Sequence, residues 1–166
     1  MVACWLSEAF RQCGVGRRTP LNADPLDRAE VVSMARLYRI LVPVSDIDDA
    51  QRFYESVLGF PGKRVSPGRH YFDCEGTILA CFDPQADGDG YEAKPNPEAL
   101  YVAVADLNAT FEACRKAGAR FAEGSPPGVG ALGEIAERPW GERSFYVNDP
   151  FGNPLCFVSA DSVFTG

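Results

Sequence analysis

The chain contains a single histidine and six cysteines, and these side chains are the first candidates for acid–base catalysis and for nucleophilic attack. An imidazole titrates near neutral pH, so His70 could serve as a general acid or base. A lone histidine next to Arg69 and Tyr71 on a strand is, however, more often a hydrogen-bonded structural residue. Cys156 is a weaker candidate for a nucleophile, because an apolar strand surrounds it and a buried thiol stays protonated. His70 and Cys156 are therefore the candidate catalytic residues, and neither stands in a motif that fixes a reaction.

The composition argues against several classes of partner. The formal net charge of −7 argues against binding to a nucleic-acid backbone, and it fits either attraction of cationic ligands or solubility alone. The cysteines form no Cys-x-x-Cys pair and lie mostly in apolar runs, a usage typical of reduced thiols in the cytoplasm. No apolar stretch approaches the roughly 18–20 residues of a membrane span. We expect a cytoplasmic protein with no nucleic-acid or membrane partner.

An internal repeat organises the chain. Asp46 and Asp106 are sixty residues apart, and each follows an apolar strand and precedes a helical pattern. An aspartate at the N-cap accepts hydrogen bonds from the free N–H groups of the first helical turn. Gly59 and Gly118 stand where the C-cap of each helix favours a positive φ. Each copy of the repeat is therefore predicted to fold as a β-α-β-β-β module.

The repeat predicts the domain organisation. We expect one domain over 34–166, with module one at 36–83, a linker at 84–97 and module two at 98–160. The strands predicted after the first helix cover 63–66, 69–73 and 77–82, and those after the second cover 120–122, 135–138, 143–148 and 154–159. A Gly- and Pro-rich loop at 125–133 has a length that often covers a site. Residues 1–33 are expected to be an N-terminal extension outside the core and a candidate for disorder, or an over-called start.

The ordered motifs resemble those of the vicinal oxygen chelate superfamily, which includes glyoxalase, bleomycin-resistance and extradiol dioxygenase proteins. The matching motifs are Val44-Ser-Asp46, Phe53-Tyr54, Leu58-Gly59-Phe60, Trp140-Gly141, Phe145-Tyr146-Val147 and Asp149-Pro-Phe-Gly-Asn153. The resemblance covers residues 36–160. It implies an α+β fold in which tandem βαβββ modules form curved mixed sheets around a cavity. By analogy, it also implies a homodimer.

The resemblance further implies a divalent metal site, which most enzymes of that superfamily build from His, Gln or Glu on the first and last strands of the modules. It places the four ligand positions at Arg39 and Ala80 in module one and at Ala99 and Cys156 in module two. A divalent cation needs two or three converging imidazole, carboxylate or thiolate ligands. One thiol beside a guanidinium does not supply them. We therefore expect no metal site and no cofactor.

The alternation of side chains along the strands predicts which residues line the cavity. Small residues at the former ligand positions leave room, aromatic rings can stack on a planar guest, and arginines can pair with an anionic group on it. The predicted ligand-binding residues are Arg39, Leu41, Phe72, Ala80, Phe82, Tyr101, Trp140, Arg143 and Cys156. The alternative is that these aromatic side chains only fill the interface between sheets.

Two classes of function fit these features. The first is a metal-free binding protein, similar to the bleomycin-binding members, that sequesters an aromatic or cationic small molecule. The second is a lyase, isomerase or dioxygenase with a relocated metal site, or with metal-independent acid–base chemistry that uses His70 or Glu75. A divergent member whose main role is self-association is a third reading. The sequence does not name the ligand, because a fold does not fix a function.

Overall fold

The structure, a computed structural model, describes residues 35–166, so the predicted extension at residues 1–33 lies outside the described residues. Module one contains β1 (Arg39–Pro43), α1 (Ile47–Leu58), β2 (Lys63–Ser66), β3 (Arg69–Cys74) and β4 (Thr77–Phe82). Module two contains β5 (Leu100–Val104), α2 (Leu107–Lys116), β6 (Arg120–Phe121), β7 (Ala136–Glu137), β8 (Arg143–Asn148) and β9 (Pro154–Ser159). A short 3₁₀ helix follows at Ala160–Ser162. Among the described helices, none has the length and apolar character needed to cross a membrane.

The helix ends confirm the aspartate caps and refine one glycine position. Asp46 accepts hydrogen bonds from the backbone N–H groups of Asp48 and Asp49, and Asp106 accepts one from Ala109. Gly59 caps α1 with a φ of 79°. The second helix ends one residue earlier than predicted, because its C-cap is Ala117 in a right-handed conformation. Gly118 then takes the positive φ of 81° that turns the chain away from the helix.

The two modules form one mixed sheet each. Sheet one has the strand order β1-β4-β3-β2, and sheet two has the order β5-β9-β8-β6, with β7 paired to β8. In each sheet the first strand runs parallel to the last strand of its module, and that last strand pairs antiparallel with the strand before it. This α+β arrangement confirms the predicted fold class.

The helix sides of both sheets share one hydrophobic core. The core includes Val42 and Leu79 of sheet one and Val147 and Leu155 of sheet two. Because successive side chains along a strand point to opposite faces of the sheet, the residues that alternate with these core residues lie on the faces that turn away from the core. We call these surfaces open face one, on sheet one, and open face two, on sheet two.

A buried polar network joins the two modules through the Asp149-Pro-Phe-Gly-Asn153 motif. The Tyr54 hydroxyl of α1 donates a hydrogen bond to Oδ2 of Asp149 over 2.9 Å. Oδ1 of Asp149 accepts from the backbone N–H groups of Phe151 and Asn153, and Oδ2 also accepts from the Asn153 amide. The same Asn153 amide donates to the carbonyl of Pro43 at the end of β1. The motif therefore both forms the turn between β8 and β9 and fixes module two against α1 and β1.

Candidate functional site

Open face one brings together several of the predicted ligand-binding residues. The strand register places Leu41 beside Ala80, and Ala80 beside Tyr71, so these three side chains share the face. Arg39 lies two residues before Leu41 on the same side of β1. The small Ala80 side chain is fully buried between its larger neighbours, whereas Leu41 remains 48% exposed. The face therefore offers apolar surface next to a guanidinium.

Two tyrosine rings hold the Arg39 guanidinium. Its central carbon lies 4.7 Å from the ring centroid of Tyr71 and 5.1 Å from that of Tyr38. Nε of Arg39 is buried and has no hydrogen-bond partner within residues 35–166. A cation stacked on aromatic rings is attracted by their negative faces. This contact orients Arg39 without neutralising its charge.

Phe82, at the other end of open face one, is already covered by side chains of the chain itself. The guanidinium carbon of Arg69 lies 4.3 Å from its ring centroid, and the Tyr91 ring packs edge-on at 6.4 Å. Arg69 is in turn paired with Asp87, at 2.5 Å between Nε and Oδ2. Hydrogen bonds from Ser66 and Arg69 lower the pKa of the Asp87 carboxyl, so the pair stays ionised at neutral pH. Phe82 is only 8% exposed, so a guest could stack on its ring only by displacing Arg69 or Tyr91.

Open face two carries Tyr101, which is 61% exposed. Tyr101 pairs in register with Cys156, which pairs with Tyr146. The rings of Tyr101 and Tyr146 meet at nearly right angles with their centroids 6.2 Å apart, and their hydroxyl oxygens are 3.4 Å apart. Cys156 is fully buried beneath them. Its burial raises the pKa of the thiol, so Cys156 stays protonated at neutral pH.

Arg138 is a major contact of open face two that sequence reasoning missed. This buried guanidinium donates hydrogen bonds to both the hydroxyl and the carbonyl oxygen of Ser144. It also binds four backbone carbonyls in the loop before β7, those of Val129, Ala131, Leu132 and Glu134. Its guanidinium carbon lies 5.5 Å from the centroid of Tyr146. Arg138 thereby holds the predicted covering loop against β8, next to open face two.

The remaining predicted ligand residues lie elsewhere. Phe72 follows Tyr71 on β3, so it points to the helix side and packs in the core against Tyr54 and Phe60. Arg143 alternates with Ser144 on β8, and its side chain reaches the amide of Asn108 at the start of α2. The structure thus places both residues on the opposite sides of their sheets from the open faces.

Trp140 lies in the turn between β7 and β8, and its indole N–H donates to the Glu142 carboxylate over 2.8 Å. Its ring is 39% exposed, so part of it remains available to a guest.

His70 lies on the helix side of β3. It is only 2% exposed, and both of its ring nitrogens lack a hydrogen-bond partner within residues 35–166. Its nearest carboxylate oxygen is Oε1 of Glu55, at 3.8 Å from Nε2. Burial and the charge of Arg64 lower the pKa of the imidazole, so His70 is neutral at pH 7. The catalytic roles of His70 and Cys156 stay predictions.

The family's four metal-ligand positions hold side chains that do not fit a divalent cation. A guanidinium at Arg39 repels a cation, and Ala80 and Ala99 have no donor atom. The protonated thiol of Cys156 is a poor ligand, because metals bind the thiolate. Across the described residues, no group of three or more His, Cys, Asp or Glu side chains could hold a metal ion. The residues present therefore disagree with the metal site that the fold family implies.

A groove of about 770 Å³ lies elsewhere on the described part of the chain. Its lining is mainly apolar and comes from the end of α1, from β5 and from α2, with Leu58, Phe60, Val102 and Ala109 among its residues. Of the predicted ligand-binding residues, Tyr101 alone lines this groove. Of the other predicted residues, Arg39, Leu41, Ala80 and Phe82 lie on open face one and Cys156 on open face two, and the rest lie on neither face.

The comparisons with known proteins agree with this architecture. The sequence model of the Glyoxalase/Bleomycin resistance protein/Dioxygenase superfamily matches residues 36–157, and the chain belongs to that superfamily. The virulence protein STM3117 of Salmonella typhimurium is 26% identical over 121 residues, which cover 71% of this chain and 79% of that protein.

Solved structures show the same fold at low sequence identity. A glyoxalase-related enzyme from Fulvimarina pelagi matches with a TM-score of 0.59 and 20% identity, over 79% of this chain and 97% of that one. A lactoylglutathione lyase from Agrobacterium tumefaciens matches with a TM-score of 0.54 and 18% identity, over 75% and 93% of the two chains. At this identity the likeness establishes the fold and leaves the activity open.

Proposed function

We propose that this chain binds a small planar aromatic compound without a metal ion and acts by sequestering it. The observation that carries the proposal is the set of side chains at the four metal-ligand positions. Arg39, Ala80, Ala99 and Cys156 together provide no ligand set for the metal that the family's chemistry uses. We infer that the chain uses the surface around these positions for binding rather than for metal chemistry.

The open faces support a planar aromatic guest. Tyr101 on open face two and Tyr38 beside open face one are both more than half exposed. Aromatic rings prefer stacked or edge-to-face contacts with other rings, worth about 0.5–1.5 kcal/mol beyond simple burial. Leu41, which is 48% exposed on open face one, offers such a ring an apolar surface.

Binding in the presence of a chelator tests this proposal. Protein in EDTA is titrated with neutral naphthalene-2-carboxamide and with cationic N-methylquinolinium, and intrinsic fluorescence is followed. We expect saturable binding that weakens in Tyr101→Ala and persists in Phe164→Ala, a control that removes a ring of similar exposure, 59% against 61%. Absence of binding to both compounds, or turnover of either one, would contradict sequestration.

We also propose that the binding unit is a homodimer in which a second copy covers the open faces. Leu41 and Tyr101 expose large apolar surfaces there, and the outer edges of β1 and β5 have no strand partner among the described residues. Light scattering should give the mass of a dimer, and Leu41→Glu should convert it to a monomer. Val65→Glu, at a residue of similar exposure on β2, should leave the dimer intact. A monomeric wild-type protein would contradict this proposal.

We propose that the protein is located in a reducing compartment, such as the cytoplasm. Cys74, Cys81, Cys114 and Cys156 are all unpaired in the structure. Burial raises the pKa of the thiols at Cys81 and Cys114, the latter to about 12, which suits a packing role rather than a redox role. Thiol labelling of protein that is denatured directly from cells should modify these four cysteines, and resistance of any of them to labelling would count against the assignment.

A further inference from the structure

Arg39 combines partial burial with the lack of an ion pair within residues 35–166, whereas Arg36, Arg120 and Arg143, which also lack one there, are exposed. Four arginines pair with carboxylates on the same chain: Arg52, Arg64, Arg69 and Arg115. Arg138 is satisfied by carbonyl groups and by Ser144. The half-buried Arg39 has no ion pair within residues 35–166, and its Nε has neither an acceptor nor contact with water. Burying part of a charge without a partner costs free energy, so an anionic ligand that pairs with this guanidinium would offset that cost.

The side chains around Arg39 prepare it for a ligand. The two tyrosine rings restrict the guanidinium to a stacked position, which lowers the entropy lost when its N–H groups bind an acceptor. Asp73, two strands away on the same face, uses its Oδ1 to accept the Gly76 N–H at 2.7 Å, and it forms no ion pair with Arg39. The planar fork of a guanidinium matches the two oxygens of a carboxylate.

From this geometry we infer that Arg39 binds the anionic group of the ligand, and that the ligand class is an aromatic carboxylate. The inference rests on the proposed metal-free binding function and specifies its ligand. The carboxylate pairs with Arg39, and the attached ring packs against the exposed side chains of Leu41 and Tyr38. The position that holds a metal ligand in related enzymes then holds a fixed positive charge for the guest. The net charge of the whole chain favours cations, but the guanidinium of Arg39, which has no ion pair within residues 35–166, favours an anion at this position.

The test compares benzoate with benzamide, a neutral compound of nearly the same shape, and with acetate, which lacks the ring. Melting temperatures are measured in EDTA at constant ionic strength over a concentration series of each compound. We expect benzoate to stabilise the wild-type protein more than either other compound does. Arg39→Gln should weaken benzoate binding about tenfold or more, since a charged hydrogen bond contributes about 1.5–3 kcal/mol. It should leave benzamide binding within about twofold.

Two variants control for folding and for general charge. Arg39→Lys keeps the charge without the planar fork and should bind benzoate with intermediate affinity. Arg36→Gln removes a nearby exposed arginine and should behave as the wild type does. Equal stabilisation by benzoate and benzamide, or benzoate binding that survives in Arg39→Gln, would overturn the role of Arg39 while leaving metal-free aromatic binding intact. No stabilisation by benzoate would also overturn it, and the chelator titration described above then decides the proposed function separately.

Discussion

Replacing Tyr54 by phenylalanine tests the network that joins the two modules. The change removes one hydroxyl, which is buried and donates to Asp149 over 2.9 Å. Burial and the adjacent carboxylate raise the pKa of Tyr54 well above its usual value, so this hydroxyl is always a donor at neutral pH. In the variant, Oδ2 of Asp149 keeps only its bond from the Asn153 amide. A hydrogen bond to a charged group contributes about 1.5–3 kcal/mol, and we expect Tyr54→Phe to lose that amount.

Urea unfolding followed by circular dichroism measures this loss. The expected result is a lower midpoint with an unchanged m-value and a melting temperature that falls by roughly 5–10 °C. Tyr91→Phe is the matched control, because its ring is more than half exposed, and it should be within about 0.5 kcal/mol of wild type. A loss in Tyr54→Phe as small as that of the control would refute the view that this contact stabilises the pairing of the modules.

Three further perturbations test other parts of the structure. Arg138→Met should destabilise the chain by about 2–4 kcal/mol and speed proteolysis of the loop before β7, because several carbonyls of that loop lose their donor. Proteolysis as slow as in the wild type would contradict this. The pKa of His70 is lowered in the folded state, so the unfolded chain takes up a proton at a higher pH than the folded chain does. The free energy of unfolding should therefore fall as the pH drops from about 7.5 to 5.5, and His70→Leu should remove this pH dependence. An unchanged pH dependence in the variant would assign it to other groups. Gly68→Ala should lower the free energy of unfolding by about 2 kcal/mol or more, because a Cβ there would clash with the carbonyl oxygen of Asp83. Gly88→Ala, where a Cβ would meet open space, should lower it by about 1 kcal/mol. Equal losses in the two variants would argue against the clash.

The sequence predicted the elements well, because their signals are local. Asp46 and Gly59 mark the two ends of α1, and both take the conformations that their side chains favour. The strand bounds at 63–66, 77–82, 143–148 and 154–159 agree with the structure, since apolar alternation and turn residues lie within a few positions of each other. The short strands β6 and β7 are shorter than predicted, because only two residues of each pair with β8.

The contacts of the site were harder to predict, because they depend on residues far apart in the chain. The bond between Tyr54 and Asp149 spans 95 positions, and no local pattern indicates it. No local sequence pattern indicates the contacts of Arg138, because only the fold of the loop brings carbonyls around it. Phe72 was predicted to line the cavity, but its side chain packs in the core. Successive residues of a strand point to opposite faces of the sheet, so an error of one position moves a side chain from the cavity face to the core face.

Thermal unfolding of metal-stripped protein with Ni, Zn, Mn or Fe(II), added one at a time, tests the central claim most directly. A metal at about 100 times its dissociation constant adds about 2.7 kcal/mol, which for this chain is a shift of roughly 5–10 °C. With Arg39, Ala80, Ala99 and Cys156 at the ligand positions, we predict no shift beyond that produced by Mg or Ca. A clear shift with one of the four metals, unmatched by Mg or Ca, would contradict the metal-free account and indicate an enzyme with a relocated site.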